Sequence, residues 1–496
     1  MKHLNKIVLV ALAATMFNCS EDFEHPIEDI KVSAGEANFS TYIALGNSLT
    51  SGYRDNALYK SGQENSYPNM LAGLMKAAGG GEFKIPYMPN DTGGFTDLKD
   101  NDGNILYYGK YILKDGLSPV PTAPGGPLDN ISTAGPYQNM GVPGAKSYHL
   151  SAEGYGNAAG LSLGKANPYF VRFASSPTTS VVKDAIAQKP TFFSLWIGNN
   201  DVLGYATSGG VGTDHNETGS LAAADYKTND ISNVAVVAGS LEKIIVDMTS
   251  SEKTPKGVIA NIPSVTSIPY FTTIPYNAVT GLTEQQVTAL NSAYAQYNGG
   301  LGLVFKAGLI SESEYNQRLI KPFTAGATQN ALVIVDKDLT DLTKFGAQFA
   351  ALKNFRQATP KDLVTLTALA YIKQGYGTQV QMPDQFILTE KETAKAEAAV
   401  TKYNAAIAGL ATKYNLALVD AYSEMKKLSS ASGIKYYGQT YTTAFISGGA
   451  FSLDGVHLTG TGYAIVANMF ADAINQKYHS TLRHVYPGNY PGIAIP

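Results

Sequence analysis

Residues 191–197, Thr-Phe-Phe-Ser-Leu-Trp-Ile, are almost continuously apolar and run straight into Gly198-Asn199-Asn200-Asp201. A strand that is apolar on both faces has to be covered on both faces, which is the situation of a central strand in a parallel sheet between helices. The rest of the chain keeps the same rhythm. Thr41–Leu45 reads as a strand ending at Gly46-Asn47-Ser48-Leu49-Thr50, and a second strand precedes Gly141-Val142-Pro143-Gly144. Gly257–Ile262 and Leu416–Val419 read as further strands. Between them lie helical patterns at Val181–Gln188, stopped by Pro190, and at Ile231–Ser250. Thr389 with Glu392 three residues on makes a capping box for a helix that carries Val400, Tyr403, Ile407, Leu410 and Tyr414 on one face. A closing helix runs from Gly460 to Tyr478. Strands alternating with helices predict an α/β fold, with a mostly parallel sheet between helical layers.

Two stretches break the rhythm. Residues 78–136 are rich in Gly, Pro, Tyr and Asp, and residues 298–388 mix helical pieces with Leu332-Val333-Ile334-Val335. Both are expected to be insertions on one catalytic core spanning 39–480, with 481–496 as a C-terminal tail. Asp100-Asn101-Asp102-Gly103 resembles the start of a calcium loop but lacks the remaining acidic ligands, so a hairpin turn is expected there. With a net charge of -3 and no basic stripe, nothing in the chain suits nucleic acid.

The N-terminus has its own pattern. Lys2 and Lys6 precede an apolar run, Ile7 to Phe17, of signal-peptide length and too short to span a bilayer. Cys19, the only cysteine, follows, so no disulfide can form within one chain. The placement resembles a bacterial lipoprotein signal. That resemblance implies cleavage of residues 1–18, lipidation of Cys19, a tether over 19–38, and attachment to the outer membrane of a Gram-negative-type envelope. Ser20-Glu21-Asp22 is similar to the acidic export signal of surface lipoproteins.

Candidate chemistry begins with the histidines, because a serine nucleophile needs a base near neutral pKa. Of the seven, His3 and His25 lie in the signal and tether, and His479 and His484 near the C-terminus, which leaves His149, His215 and His457. His457 alone has a carboxylate in tight register, in Asp454-Gly455-Val456-His457, a spacing that lets Asp454 reach the ring. Ser48 lies where an apolar strand gives way to a helix, which exposes its hydroxyl at the sheet's carboxyl edge. Asn200 follows the most apolar strand, and its amide can donate to an oxyanion without carrying charge. Gly144 offers an unobstructed backbone N–H in a second strand-to-helix turn. Singly, these read more readily as a surface ion pair, a helix cap and an ordinary turn.

Taken together and in chain order, Gly46-Asn47-Ser48-Leu49, Gly144, Gly198-x-Asn200-Asp201 and Asp454-x-x-His457 resemble the four blocks of the GDSL/SGNH hydrolases. The resemblance implies a three-layer α/β/α, flavodoxin-like fold and serine-dependent hydrolysis of acyl esters without metal or cofactor. Carried over by position, Ser48 is the nucleophile, His457 the base and Asp454 its orienting carboxylate. The oxyanion hole falls to Ser48, Gly144 and Asn200, with Gly141 the less favoured alternative to Gly144. Asn47 stands where the family carries Asp, and Leu458 where Pro is common. The expected substrate is a glycan O-acetyl or lipid acyl ester, the former favoured because the first insertion is poor in long aliphatic runs. The alternatives are a glycan-binding lipoprotein without activity, or a lipase, phospholipase or thioesterase with the same triad.

Overall fold

A computed structural model of the protein describes residues 31–114, 118–326 and 329–494. The residues expected to form the signal peptide, the lipidated Cys19 and the first part of the tether lie outside these. Five parallel strands make the central sheet: β1 Tyr42–Gly46, β2 Asn139–Gly141, β3 Phe192–Trp196, β4 Lys256–Ala260 and β5 Ala417–Val419. Their order across the sheet is β5-β4-β3-β1-β2. The chain thus winds outward in one direction from β1 to β2, then returns past β1 to β3 and continues the other way. In such an order the crevice between the carboxyl ends of β1 and β3 is the topological switch point, where open α/β sheets place their ligands.

Every residue of β1 and β3 is buried, as the continuous apolar run requires. Burial of Phe192, Phe193 and Leu195 contributes about 1.5–3 kcal/mol each. The one hydroxyl within β3, Ser194, is satisfied by the Tyr42 hydroxyl at 2.7 Å. In chain order the framework helices are α1 Ser48–Ser51, α2 Tyr67–Lys76, α3 Val181–Ile186, α4 Asn200–Thr207, α5 Val234–Thr249, α6 Glu284–Lys306, α7 Glu390–Lys413, α8 Ala421–Leu428 and α9 Gly460–Tyr478. Helices α2 and α9 pack together on one face, where Tyr67 stacks on Phe470 with ring centroids 4.6 Å apart. Helices α3, α4, α5 and α7 form the other layer. The fold is therefore α/β, a three-layer sandwich around a parallel sheet, as the strand pattern predicts. Helix α7 starts at the capping box between Thr389 and Glu392. Helix α5 starts three residues later than its apolar pattern suggests, because Asn233 caps it by accepting from the Ala235 N–H.

The boundaries of the additions differ from expectation. The first insertion forms two antiparallel hairpins, Phe95–Lys99 with Ile105–Tyr107 and Gly109–Lys114 with Ser118–Thr122. Asp100 to Asn104 closes the first as a turn, with the Asp100 carboxylate accepting from the Asp102 and Asn104 N–H groups. The second insertion begins before position 298, which falls inside α6. That helix turns Val287, Leu290, Tyr294, Leu301 and Val304 into an apolar cluster separate from the main core. A further cluster around Leu332, Ile334, Val364 and Met382 completes it. The second insertion is thus a lobe with its own apolar interior.

Both ends of the core extend beyond their expected limits. Ser33 and Glu36, read as tether, bond to Thr481 and to the Tyr478 carbonyl, and Ala37 is in the core. The segment read as a tail is held along α9, with Asn468 donating to the Val485 carbonyl and Leu482 buried.

Candidate active site

Strand β1 ends at Gly46, and the chain folds straight back into α1. A Cβ at Gly46 would sit 2.1 Å from the Thr50 hydroxyl and 2.5 Å from the Trp196 carbonyl, so only glycine permits this turn. Asn47 caps α1 by accepting from the Leu49 N–H at 3.0 Å, and its amide donates to the Asn199 side chain at 3.3 Å. Asn47 therefore ties the carboxyl ends of β1 and β3 together. Ser48 follows, 7% exposed, at the mouth of the switch-point crevice.

The loop before α9 meets it from the other end of the chain. His457 Nε2 lies 2.9 Å from Ser48 Oγ, and His457 Nδ1 lies 2.9 Å from Asp454 Oδ2. Asp454 Oδ1 accepts from the Val456 and His457 N–H groups at 2.8 Å, and Oδ2 also accepts from the Asn56 N–H at 2.8 Å. Burial alone would raise the Asp454 pKa, but His457 and these N–H donors overcome it and hold the carboxyl far below the usual range. An ionised Asp454 accepts, so Nδ1 carries the imidazole proton and Nε2 is left to accept from Ser48. The Tyr53 ring rests against His457 with centroids 4.7 Å apart.

The remaining predicted residues reach the same sheet edge. Gly144 has φ +80, a conformation that suits glycine, and its N–H has no hydrogen-bond partner among the described residues. The Ser48 N–H is likewise unpartnered among them. Asn200 opens α4, and its amide donates one hydrogen to the Ala145 carbonyl at 2.9 Å, with no partner for the second among the described residues. Gly141 is no substitute for Gly144, because its N–H is taken by Asn139 Oδ1 at 3.0 Å. Asp201, next to Asn200, is buried and turned away from the crevice to bind Ser147.

The other two candidate histidines are elsewhere. His149 accepts from the Lys146 N–H and stacks on Tyr155; burial, then Lys146, lowers its pKa to about 4. His215 pairs with Asp230 at 3.0 Å and has Thr218 on its other nitrogen.

Several contributing residues were not apparent from sequence. Asp55 takes the Leu453 N–H at 3.0 Å, its own N–H goes to Ser452 Oγ at 2.9 Å, and Ser452 in turn donates to Asp454. Both insertions attach to the loops beside the triad. Tyr111 of the second hairpin donates its N–H to the Asp55 carbonyl, and Tyr270, leading into the second lobe, donates its N–H to the Gly455 carbonyl. Among the described residues no cluster of three or more His, Cys, Asp or Glu side chains is arranged to hold a metal.

No protein-family model matches the chain, and no curated protein does. Among solved structures it is similar to Axe2, an acetylxylan esterase from Geobacillus stearothermophilus, at 11% identity and a TM-score of 0.31, over 92% of this chain and 100% of that one. It is also similar to a GDSL-like lipase from Parabacteroides merdae at 11% identity and a TM-score of 0.32, over 90% of this chain and 100% of that one. At these scores the roles of individual residues rest on this chain's own geometry.

The depressed pKa of Asp454 gives a stability prediction with a definite sign. A carboxyl whose folded pKa lies below its unfolded value stabilises the fold above the unfolded value, about 4, and loses that contribution as pH falls toward the folded one. Denaturant unfolding of the protein and of Asp454→Asn should show a gap at pH 5 that narrows progressively as pH falls below about 4. A gap that widens below pH 4 would contradict the assignment.

Proposed function

We propose that the protein is a serine esterase that hydrolyses carboxylic esters through an acyl-enzyme on Ser48. The observation that carries this reading is the unbroken chain Ser48 Oγ, His457 Nε2, His457 Nδ1, Asp454 Oδ2, with both links at 2.9 Å, at the switch point of a parallel sheet. A binding protein has no use for a base on a hydroxyl or for an ionised carboxylate behind that base.

In the proposed reaction His457 Nε2 takes the proton of Ser48 as Oγ attacks the ester carbonyl carbon. The carbonyl oxygen becomes an oxyanion, held by the Ser48 and Gly144 N–H groups and the Asn200 amide. Collapse breaks the bond to the alcohol oxygen, which leaves with the proton from His457. Water then attacks the acyl-Ser48, gives its proton to His457, and the acid departs as Ser48 is restored. Asp454 stays ionised throughout, fixing the ring's tautomer and stabilising the transient imidazolium.

For the substrate, short acyl groups on a hydroxylated carrier such as a glycan fit best. The segments beside the triad carry half-buried tyrosines, Tyr53, Tyr111 and Tyr270, and the Tyr270 hydroxyl lies within hydrogen-bond reach of Thr367. The Cys19 signal further supports anchoring in a bacterial envelope, the acylated N-terminus leading to the core at Ser33 and bringing the esterase to a membrane-bounded surface.

Hydrolysis of activated esters of increasing acyl length by the chain lacking residues 1–19, beside Ser48→Ala, tests the reaction and the substrate class together. The serine variant should lose at least ~10³-fold in kcat, and activity should peak at acetyl or a similarly short chain. Most activity surviving in Ser48→Ala would remove the nucleophile, and a maximum at long chains would reverse the substrate assignment. In cells, Cys19→Ala should move the protein from the membrane to the soluble fraction, and an unchanged distribution would defeat the anchor.

A further inference from the structure

The turn that carries Gly144 is clamped at every residue except Gly144. Val142 donates its N–H to the Gly46 carbonyl at 3.0 Å, and the Pro143 carbonyl accepts from Asn167 at 2.8 Å. Ala145 donates its N–H back to Val142 and accepts from Asn200. Lys146 sends its ammonium away from solvent, 4% exposed, to the backbone carbonyls of Asp230 at 2.9 Å and Lys227 at 3.1 Å. Ser147 gives both its N–H, at 2.8 Å, and its hydroxyl, at 3.0 Å, to the fully buried carboxylate of Asp201. Asp201 immediately follows Asn200, so one buried acid links the two segments that bear Gly144 and Asn200.

We propose that Lys146 and Asp201 are positioning residues for the oxyanion hole: they hold the Gly144 N–H and the Asn200 amide in fixed relation to Ser48. The inference rests on the esterase reading above.

Two buried charges are a costly way to pin a surface turn. A buried ammonium and a buried carboxylate each oppose burial, and burial lowers the Lys146 pKa and raises that of Asp201. Each charge, together with Asp230 on the lysine's side, partly offsets the other's penalty. Apolar packing would hold the turn as firmly in the sense of stability. What charge-assisted bonds add is direction, because they specify where a donor points, and an oxyanion donor works only in the right place. Asp230 is in turn held from behind by His215 and by the Thr213 and Lys227 N–H groups, so the carbonyls that receive Lys146 belong to a braced loop. Neither Lys146 nor Asp201 touches the crevice, and each would act only through Gly144 and Asn200.

A double-mutant cycle separates positioning from general support. Lys146→Met keeps the stem and removes the ammonium; Asn200→Ala removes the donor. With a short activated ester, Lys146→Met should lower kcat by roughly 10–100-fold, with KM within twofold, as expected when reacting groups are displaced by about 1 Å. The double variant should lose less than the product of the two single losses, because the changes disable parts of one device while the Gly144 N–H still depends on Lys146. Asp201→Asn, which keeps an acceptor for Ser147 and loses the charge, runs in a parallel cycle, so poor folding of the lysine variant leaves the test intact. It should lose at least threefold in kcat with the same non-additivity. Losses that multiply, or a kcat within twofold of the unmodified protein in variants with unchanged unfolding midpoints, would overturn the proposal. Ser48→Ala in the same assay keeps the two readings apart. If it retains activity the esterase reading falls; if it is inactive while the Lys146 and Asp201 variants are not, only this inference falls.

Discussion

Ser48 and His457 are separated by 409 residues of chain, and a small set of buried polar contacts between two loops brings them together. On one side are Arg54, Asp55 and Asn56, just after α1; on the other are Ser452, Leu453 and Asp454. Asp55 gives its N–H to Ser452 and takes that of Leu453, while Asn56 gives its N–H to Asp454. Arg54 and the Tyr59 hydroxyl satisfy the rest of the Asp55 carboxylate, at 3.0 and 2.6 Å. Asp55 and Asn56 both adopt positive φ, a conformation that Asp and Asn tolerate better than most residues. Hydrogen bonds to charged groups contribute about 1.5–3 kcal/mol each, so this clasp far exceeds what a surface ion pair supplies. A histidine loop without it would be free to drift by more than the hydrogen bond to Ser48 allows.

The clasp acts on a scaffold that already concentrates polar groups at one edge. With the order β5-β4-β3-β1-β2, the loops after β1 and β3 diverge to opposite sides, and the gap between them is filled by Asn47, Asn199 and Ser48. The loop after β2 then lies beside α1, bringing Gly144 to the same edge. Topology places three of the four segments, and long-range polar contacts seat the fourth. The insertions depend on the same points: Tyr111 hangs from Asp55, and Tyr270 from Gly455. A change in either insertion would alter what reaches Ser48 without touching the triad.

Much of this was legible in the chain itself. The apolar run at 191–197 suited a doubly covered strand, and the Thr389–Glu392 capping box marked the start of α7 to the residue. The residues proposed for the chemistry lie where local signals of strand ends and D-x-x-H spacing put them. Less visible was whatever depends on pairing across sequence. The clasp of Asp55 with Ser452 leaves no periodic trace, since each partner reads locally as an ordinary turn residue. The second lobe was underestimated because α6 is rich in Ala, Gln and Asn, so its apolar stripe is thin and its start was placed mid-helix. The tether and the C-terminal tail were set outside the core, although Ala37 and Leu482 are buried in it by contacts with α9 and its surroundings rather than by a local motif.

The central claim is that the hydroxyl held by His457 becomes acylated. Rapid acid quenching of the protein during turnover of a short activated ester, followed by mass spectrometry of the peptide containing Ser48, reads this directly. The account predicts an acyl adduct on Ser48 that forms within one turnover, decays as substrate is exhausted, and is absent when His457 is replaced by alanine. Turnover with no adduct on Ser48, or an adduct on another residue that forms at the same rate without His457, would contradict it.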